Sequence, residues 1–103
     1  MTEFVKVATA GEIPAGEMKI VEVAGHEVVL ANVGGQFFAF ASECTHRGGP
    51  LGEGLLMDDV VECPFHGGQF NVRTGEVVSA PPSEPIKTYP VQVEGGEVKV
   101  AVA

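Results

Sequence analysis

Several residue types and sequence features that are typical of particular protein classes are rare or missing in this chain. Its 103 residues include no tryptophan, two cysteines, and only six lysines and arginines against 14 aspartates and glutamates. The resulting formal charge of −8 argues against nucleic acid or an anionic membrane surface as a partner. No apolar run approaches the roughly 18 residues that a membrane span needs. The opening stretch MTEFVKVATAGEIPAGE also lacks the basic start and apolar core of a signal peptide.

These absences favour a cytoplasmic protein with no membrane partner. A structural disulfide is disfavoured in that compartment, so two cysteines are more typical of metal ligands or catalytic groups. The length predicts one domain spanning residues 1–103.

Glycine and proline, by contrast, are abundant, with 14 and 7 residues respectively. Short β-rich runs alternate with turn residues along the whole chain, and the clearest hairpin joins Val91–Glu94 to Glu97–Val100 through Gly95-Gly96. Only Thr9–Ile13 suggests a helical turn. Further turns are expected at Ala24-Gly25-His26, at Asp58-Asp59, and at Arg73-Thr74-Gly75 within the β-rich run Val72–Val78. His26 is expected to be a surface histidine rather than a ligand. The three prolines of Ala80–Pro85 exclude a central strand there and predict a stiff loop, which we call the proline segment. The expected fold class is all-β, a small antiparallel sandwich or open barrel.

Two short segments hold both cysteines and two of the three histidines. The first segment is CTHRGGPL (Cys44–Leu51) and the second segment is CPFHGGQF (Cys63–Phe70). Each follows a predicted strand, and each has glycines after its histidine that allow backbone to approach closely. The spacing is Cys44-x-His46, then residues 47–62, then Cys63-x-x-His66.

Three chemistries compete for these residues. A catalytic cysteine–histidine pair would leave the second pair unexplained. A structural zinc site would use all four residues, but zinc sites usually pair cysteine with cysteine and histidine with histidine. One cysteine and one histidine from each segment suit a two-iron cluster, in which one iron takes both thiolates and the other both imidazoles.

The combination CTHRGGPL…CPFHGGQF resembles the Rieske [2Fe–2S] motif, C-x-H-x₁₅₋₁₇-C-x-x-H. The resemblance extends to Pro50 and Leu51, to Pro64 and Gly67, and to the proline segment. It implies a β-sheet base with a cluster-binding tip, approximately residues 42–82, made of two hairpin loops and the proline loop.

The resemblance also implies one [2Fe–2S] cluster and a role for each ligand. Cys44 and Cys63 would bind the inner iron through sulfur. His46 and His66 would bind the outer iron through Nδ1. Neutral histidine ligands explain why Rieske potentials, roughly −150 to +300 mV, exceed those of all-cysteine clusters.

The chain departs from the high-potential branch of this family. Respiratory members have a further cysteine in each loop, and serine and tyrosine hydroxyls after the second histidine that donate to cluster sulfurs. Here two cysteines make that disulfide impossible, and Gly68 and Phe70 stand at the hydroxyl positions. We therefore expect a potential at the low end of the Rieske range.

The expected function is that of a free-standing, non-enzymatic electron carrier. It is similar to the ferredoxin component of bacterial aromatic-ring dioxygenase systems. The resemblance implies two protein partners, a flavoprotein ferredoxin reductase that uses NAD(P)H and a terminal Rieske oxygenase, with the carrier itself a monomer. Two alternatives stay open: a Rieske-like small subunit of an NADH-dependent nitrite reductase, and a zinc-stabilised interaction module.

Overall fold

The computed structural model describes residues 4–23, 25–42, 51–64, 67–79 and 85–101. In these residues the chain forms eleven strands, two 3₁₀ turns and no α-helix, which confirms the all-β prediction. The strands are β1 (Val5–Thr9), β2 (Met18–Val23), β3 (His26–Val33), β4 (Gln36–Ala41), β5 (Leu55–Met57), β6 (Val60–Glu62), β7 (Gln69–Asn71), β8 (Val77–Ser79), β9 (Thr88–Tyr89), β10 (Val91–Glu94) and β11 (Glu97–Val100). The 3₁₀ turns are Ala10–Glu12 and Leu51–Glu53. The described part of the chain holds no helix that could span a membrane.

The strands form three antiparallel sheets. The first has the order β1-β11-β10, the second β2-β3-β4-β9, and the third β5-β6-β7-β8. Successive hairpins explain most of this order, because a short turn brings a strand back beside its predecessor. The Gly95-Gly96 hairpin is present as predicted, with Val91 opposite Val100 and Glu94 opposite Glu97.

The second sheet lies between two apolar cores, and β3 is buried on both faces. Alternate side chains point to opposite faces of a strand, so Val28 and Leu30 enter one core while Val29 and Ala31 enter the other. The first core joins β3 to β1 and β11, and the second joins it to the third sheet. This double burial explains why β3 reads as a nearly continuous apolar run rather than an alternating one.

One side chain ties the third sheet to the second at the surface. Arg73 follows β7, and its guanidinium carbon lies 4.8 Å from the centre of the Phe38 ring. Its Nε is 3.5 Å from a carboxylate oxygen of Asp59, and one terminal nitrogen donates to Gln36 Oε1 at 3.2 Å. A planar guanidinium can make all three contacts at once.

Two boundaries differ from the sequence prediction. His26, expected in the turn before β3, is the first residue of that strand and lies opposite Val23. Val72, expected in a strand, lies in the turn between β7 and β8, where its buried side chain enters the core. His26 joins the strand because the β2–β3 ladder continues to the last pair before the turn. Val72 leaves the ladder because its side chain packs into a core formed by residues distant in the chain.

The two-residue turn between β5 and β6 generates a stability prediction. Asp58 has φ = 55°, and it is the only non-glycine residue of the described ranges in the left-handed region. Replacing it with a β-branched residue, Asp58→Val, should lower the free energy of unfolding by about 1–2 kcal/mol, because such side chains fit this conformation poorly. Chemical denaturation of the holoprotein measures this, with Asp58→Gly as a control that keeps wild-type stability or exceeds it. Equal stability of the valine variant and wild type would contradict the assignment.

Candidate metal centre

The structure describes one of the four predicted ligands directly. Cys63 follows β6 and is 1% exposed, in the same buried cluster as Val61 and Phe70. Cys44 and His46, in the range 43–50, and His66, in the range 65–66, lie outside the described residues. Among the described residues no group of three or more histidine, cysteine, aspartate or glutamate side chains is placed to hold a metal ion. The four-residue ligand set therefore remains a prediction.

The ends of the first segment are held next to each other. Leu51, its last residue, donates its amide hydrogen to the carbonyl oxygen of Ser42 at 2.8 Å. Ser42 is 5% exposed, and its hydroxyl donates to a carboxylate oxygen of Glu27 at 3.1 Å. Its amide also donates to the Glu27 carbonyl at 3.3 Å. These bonds hold Leu51, where the chain returns from the first segment, next to Ser42 at the end of β4 and Glu27 in β3.

The second segment is closed in the same way. Cys63 donates its amide hydrogen to the carbonyl oxygen of Gly68 at 2.7 Å, so the bond spans residues 64–67. Gly67 has φ = 71°, a conformation that glycine adopts at no steric cost. On either side of the loop, the Gln69 side-chain amide donates to a Glu62 carboxylate oxygen at 3.0 Å. Cys63 therefore stands at the base of a short, doubly tied loop.

The proline segment returns to the third sheet through a third bond. Ile86, just after this segment, donates its amide hydrogen to the carbonyl oxygen of Gly75 at 2.9 Å. A Cβ on Gly75 would lie 2.3 Å from the Ile86 carbonyl oxygen, so only glycine permits this close approach. The predicted loop residues 80–84 themselves lie outside the described residues.

The three loops share one base. Leu51, Cys63 and Ile86 are all members of a single buried cluster, and each stands at one end of a different loop. Close packing in that cluster fixes the three chain ends relative to one another. The described residues therefore bring together the points from which both predicted ligand segments start or end.

The chemistry of Cys63 fits a soft metal ligand. Its side chain lies among apolar side chains at a loop base. A metal ion bound there would displace the thiol proton and neutralise the charge of the resulting thiolate. Sulfur from cysteine is also the ligand that iron–sulfur clusters require. The residue present in the structure thus fits the group that the sequence motif predicts.

Sequence reasoning missed the residues that hold the loop bases. Ser42, Glu27, Gly54 and Gly75 lie outside the Cys/His pattern, and their contacts are with residues distant in the chain. The only local signal in the sequence was that Gly54 and Gly75 are isolated glycines beside β-rich runs. An isolated glycine in such a place often marks a close approach of two backbone segments. His26, predicted as a surface histidine, is exposed.

Comparison with known proteins gives a consistent result. The family model described as "Rieske [2Fe-2S] domain" matches residues 3–90. The biphenyl dioxygenase ferredoxin subunit of Pseudomonas sp. (strain KKS102) is 47% identical over 98 residues, covering 94% of this chain and 90% of that protein.

Solved structures agree with this similarity. A chain in the complex of reduced oxygenase and oxidized ferredoxin in carbazole 1,9a-dioxygenase superposes with a TM-score of 0.91 at 42% identity, covering 95% of this chain and 92% of that one. The terminal oxygenase of carbazole 1,9a-dioxygenase from Nocardioides aromaticivorans IC177 superposes with a TM-score of 0.88 at 32% identity. There the match covers 98% of this chain and only 30% of the other.

The position of Cys63 generates a prediction about metal content. The variant Cys63→Ser should lose nearly all bound iron and acid-labile sulfide, because a serine oxygen is a poor substitute for a thiolate on iron. Iron and sulfide analysis of the purified protein measures this. The matched control is His26→Ala, which removes the histidine outside the motif and should keep the wild-type iron content. A Cys63→Ser protein with full iron content would contradict the assignment.

Proposed function

This chain belongs to the Rieske [2Fe–2S] family, and on that premise we propose that it is the ferredoxin component of a multicomponent dioxygenase acting on aromatic compounds. One observation carries the proposal. The chain is 47% identical to a dioxygenase ferredoxin subunit, and the match covers 94% of this chain and 90% of that protein. The chain is an electron carrier rather than a catalytic subunit.

Four residues would hold the cofactor. Cys44 and Cys63 supply thiolates to one iron, and His46 and His66 supply imidazoles to the other. When bound, a Rieske [2Fe–2S] cluster takes up one electron and gives it back. We assign this role to a single domain covering residues 1–103, with the cluster-binding part at approximately residues 42–82.

The described residues contribute a rigid support for such a site. A carrier that is oxidised and reduced repeatedly works best when its ligands keep one arrangement, which requires supporting residues that are themselves fixed. Here hydrogen bonds at Ser42, Cys63 and Gly75 close the three loops, and one buried cluster packs their ends together. The base of the fold thereby fixes the chain ends at which the ligand segments start or end.

The surface charge supports short-lived protein partners. Lys6, Lys19, Arg73 and Lys99 each pair with a carboxylate, and the described cation that remains, Lys87, lies over the Tyr89 ring at 5.3 Å. The remaining carboxylates leave the surface negative. Such a surface steers association with a positively charged patch and gives fast, reversible encounters.

The donor and acceptor follow from the proposed role. The acceptor is a terminal Rieske oxygenase, and the donor is a flavoprotein reductase that takes electrons from NAD(P)H. We propose that the carrier acts as a monomer in the cytoplasm, since a shuttle must leave one partner before it meets the next.

The function is tested by reconstituting the electron-transfer chain. The purified holoprotein, added to the reductase and terminal oxygenase encoded with it, should make NADH-dependent dihydroxylation of an aromatic substrate depend on its concentration. The Cys63→Ser protein serves as the control and should support no turnover, because it cannot carry the electron. Full oxygenase activity without the carrier would contradict the proposal.

The residues after His66 generate a prediction about the midpoint potential. Phe70 is fully buried in the same cluster as Cys63, and Gly68 accepts the Cys63 amide hydrogen bond. Gly68→Ser and Phe70→Tyr should each raise the potential, because a hydroxyl donor stabilises the more negative, reduced state. The expected rise is about 60 mV for each, since a hydrogen bond of about 1.4 kcal/mol corresponds to that shift for one electron.

Redox titration followed by visible absorption measures these potentials. Wild type should titrate at the low end of the Rieske range. Phe70→Leu, which keeps an apolar side chain and adds no donor, is the control and should not show this rise. A clearly positive wild-type midpoint, or tyrosine and serine variants below wild type, would contradict the interpretation.

A further inference from the structure

Gly54 lies where the chain leaving the first segment meets the chain entering the second. It follows the 3₁₀ turn Leu51–Glu53 and donates its amide hydrogen to the Leu51 carbonyl oxygen at 3.0 Å. The next residue, Leu55, begins β5 opposite Glu62, the last residue of β6. Gly54 is thus three residues after Leu51 and directly precedes Leu55, the residue that pairs with Glu62 just before Cys63.

No side chain fits at this position. A Cβ built on Gly54 would lie 1.9 Å from the carbonyl oxygen of Glu62 and 3.2 Å from Cδ of Pro64. These two residues flank Cys63 in the chain. The nearest of the two atoms belongs to the backbone of β6, so it cannot swing aside as the end of a side chain could. A methyl group would therefore push apart the two chain segments.

The backbone conformation of Gly54 does not require a glycine. Its φ is outside the left-handed region, which among the described glycines is occupied by Gly67, Gly75 and others but not by Gly54. The requirement is one of space alone. This separates Gly54 from the turn glycines, at which any side chain would strain the backbone.

From this geometry we infer that Gly54 is a positioning residue that sets the spacing between the two ligand-bearing segments. Its contact with the Glu62 carbonyl fixes the end of β6, and with it Cys63, against the chain that has just left the first segment. The inference rests on the proposed function, because the spacing matters only if both segments bind one cluster. Gly54 lies outside the ligand motif, and it acts on the site through the position of Cys63 without touching the metal.

The chain provides a matched control two residues away. Gly52 lies in the same 3₁₀ turn, and a Cβ there would lie 2.4 Å from Cγ1 of Ile20 and 3.3 Å from a methyl carbon of Val29. Both neighbours are side chains of the second sheet, and Ile20 is 40% exposed, so it can rotate outward. Gly52→Ala therefore adds the same methyl group against side chains rather than against the backbone carbonyl that precedes Cys63.

The experiment compares holoproteins of wild type, Gly54→Ala and Gly52→Ala. The rate of bleaching by an iron chelator, the g values of the reduced protein at low temperature, and the thermal unfolding midpoint are measured for each. We expect Gly54→Ala to lose its cluster about 10-fold faster than wild type, the loss typical of disturbing the support of a metal ligand. Its g values should also shift, because the geometry at the irons changes.

Gly52→Ala should keep the wild-type g values and bleaching rate, even where its unfolding midpoint falls. Wild-type g values and bleaching in Gly54→Ala would overturn the inference. Equal changes in both alanine variants would also overturn it, because the effect would then follow lost stability. A wild-type protein with no Rieske signal would instead refute the proposed function, so the two failures are distinguishable.

A more stable parent protein keeps the comparison possible if Gly54→Ala does not fold in the wild-type chain. If Gly54→Ala does not accumulate, the comparison is repeated with Asp58→Gly in all three proteins, which relieves the left-handed strain at the β5–β6 turn. A colourless Gly54→Ala protein with the circular dichroism spectrum of wild type supports the inference. A Gly54→Ala protein that is unfolded in both backgrounds overturns it, since Gly54 would then serve the fold as a whole.

Discussion

The packing of three loop ends into one apolar cluster is the interaction on which the rest of this structure depends. Leu51, Cys63 and Ile86 come from separate parts of the chain, and each is buried at one end of a loop. Burial supplies the driving force, and a backbone hydrogen bond at each base fixes the geometry. The buried cluster and the backbone bonds together fix the positions of the three chain ends.

The apolar loop bases contrast with the acidic surface around them. The loop bases are apolar and closely packed, whereas the surrounding surface carries carboxylates such as Glu53, Asp58 and Glu76, all of them exposed. Exposed ion pairs of the kind seen here contribute little to stability. The negative surface charge instead affects which partners bind. It disfavours nucleic acid and other acidic proteins and favours a surface of opposite sign.

The sequence predicts local features well and tertiary contacts poorly. The hairpin at Gly95-Gly96 and the turn at Asp58-Asp59 were predictable, because turn residues with positive φ have a recognisable chemistry. The spacing of the cysteines and histidines left several chemistries open, and the resemblance to the Rieske motif is what predicts the four ligands. The contact between Gly54 and the Glu62 carbonyl was not predictable, since it joins chain segments whose approach depends on the packed sheet. The same holds for Ser42, whose bonds to Glu27 and Leu51 form only when β3, β4 and the 3₁₀ turn are in place.

We propose that two cysteines and two histidines, one of each from each loop, hold one two-iron cluster. Low-temperature electron nuclear double resonance of the reduced holoprotein tests it most directly, because it detects each nitrogen bound to iron. We expect two strongly coupled imidazole nitrogens, one of which disappears in His46→Cys and the other in His66→Cys. A reduced protein with no coupled nitrogen, or a colourless zinc protein with no paramagnetic signal, would contradict it.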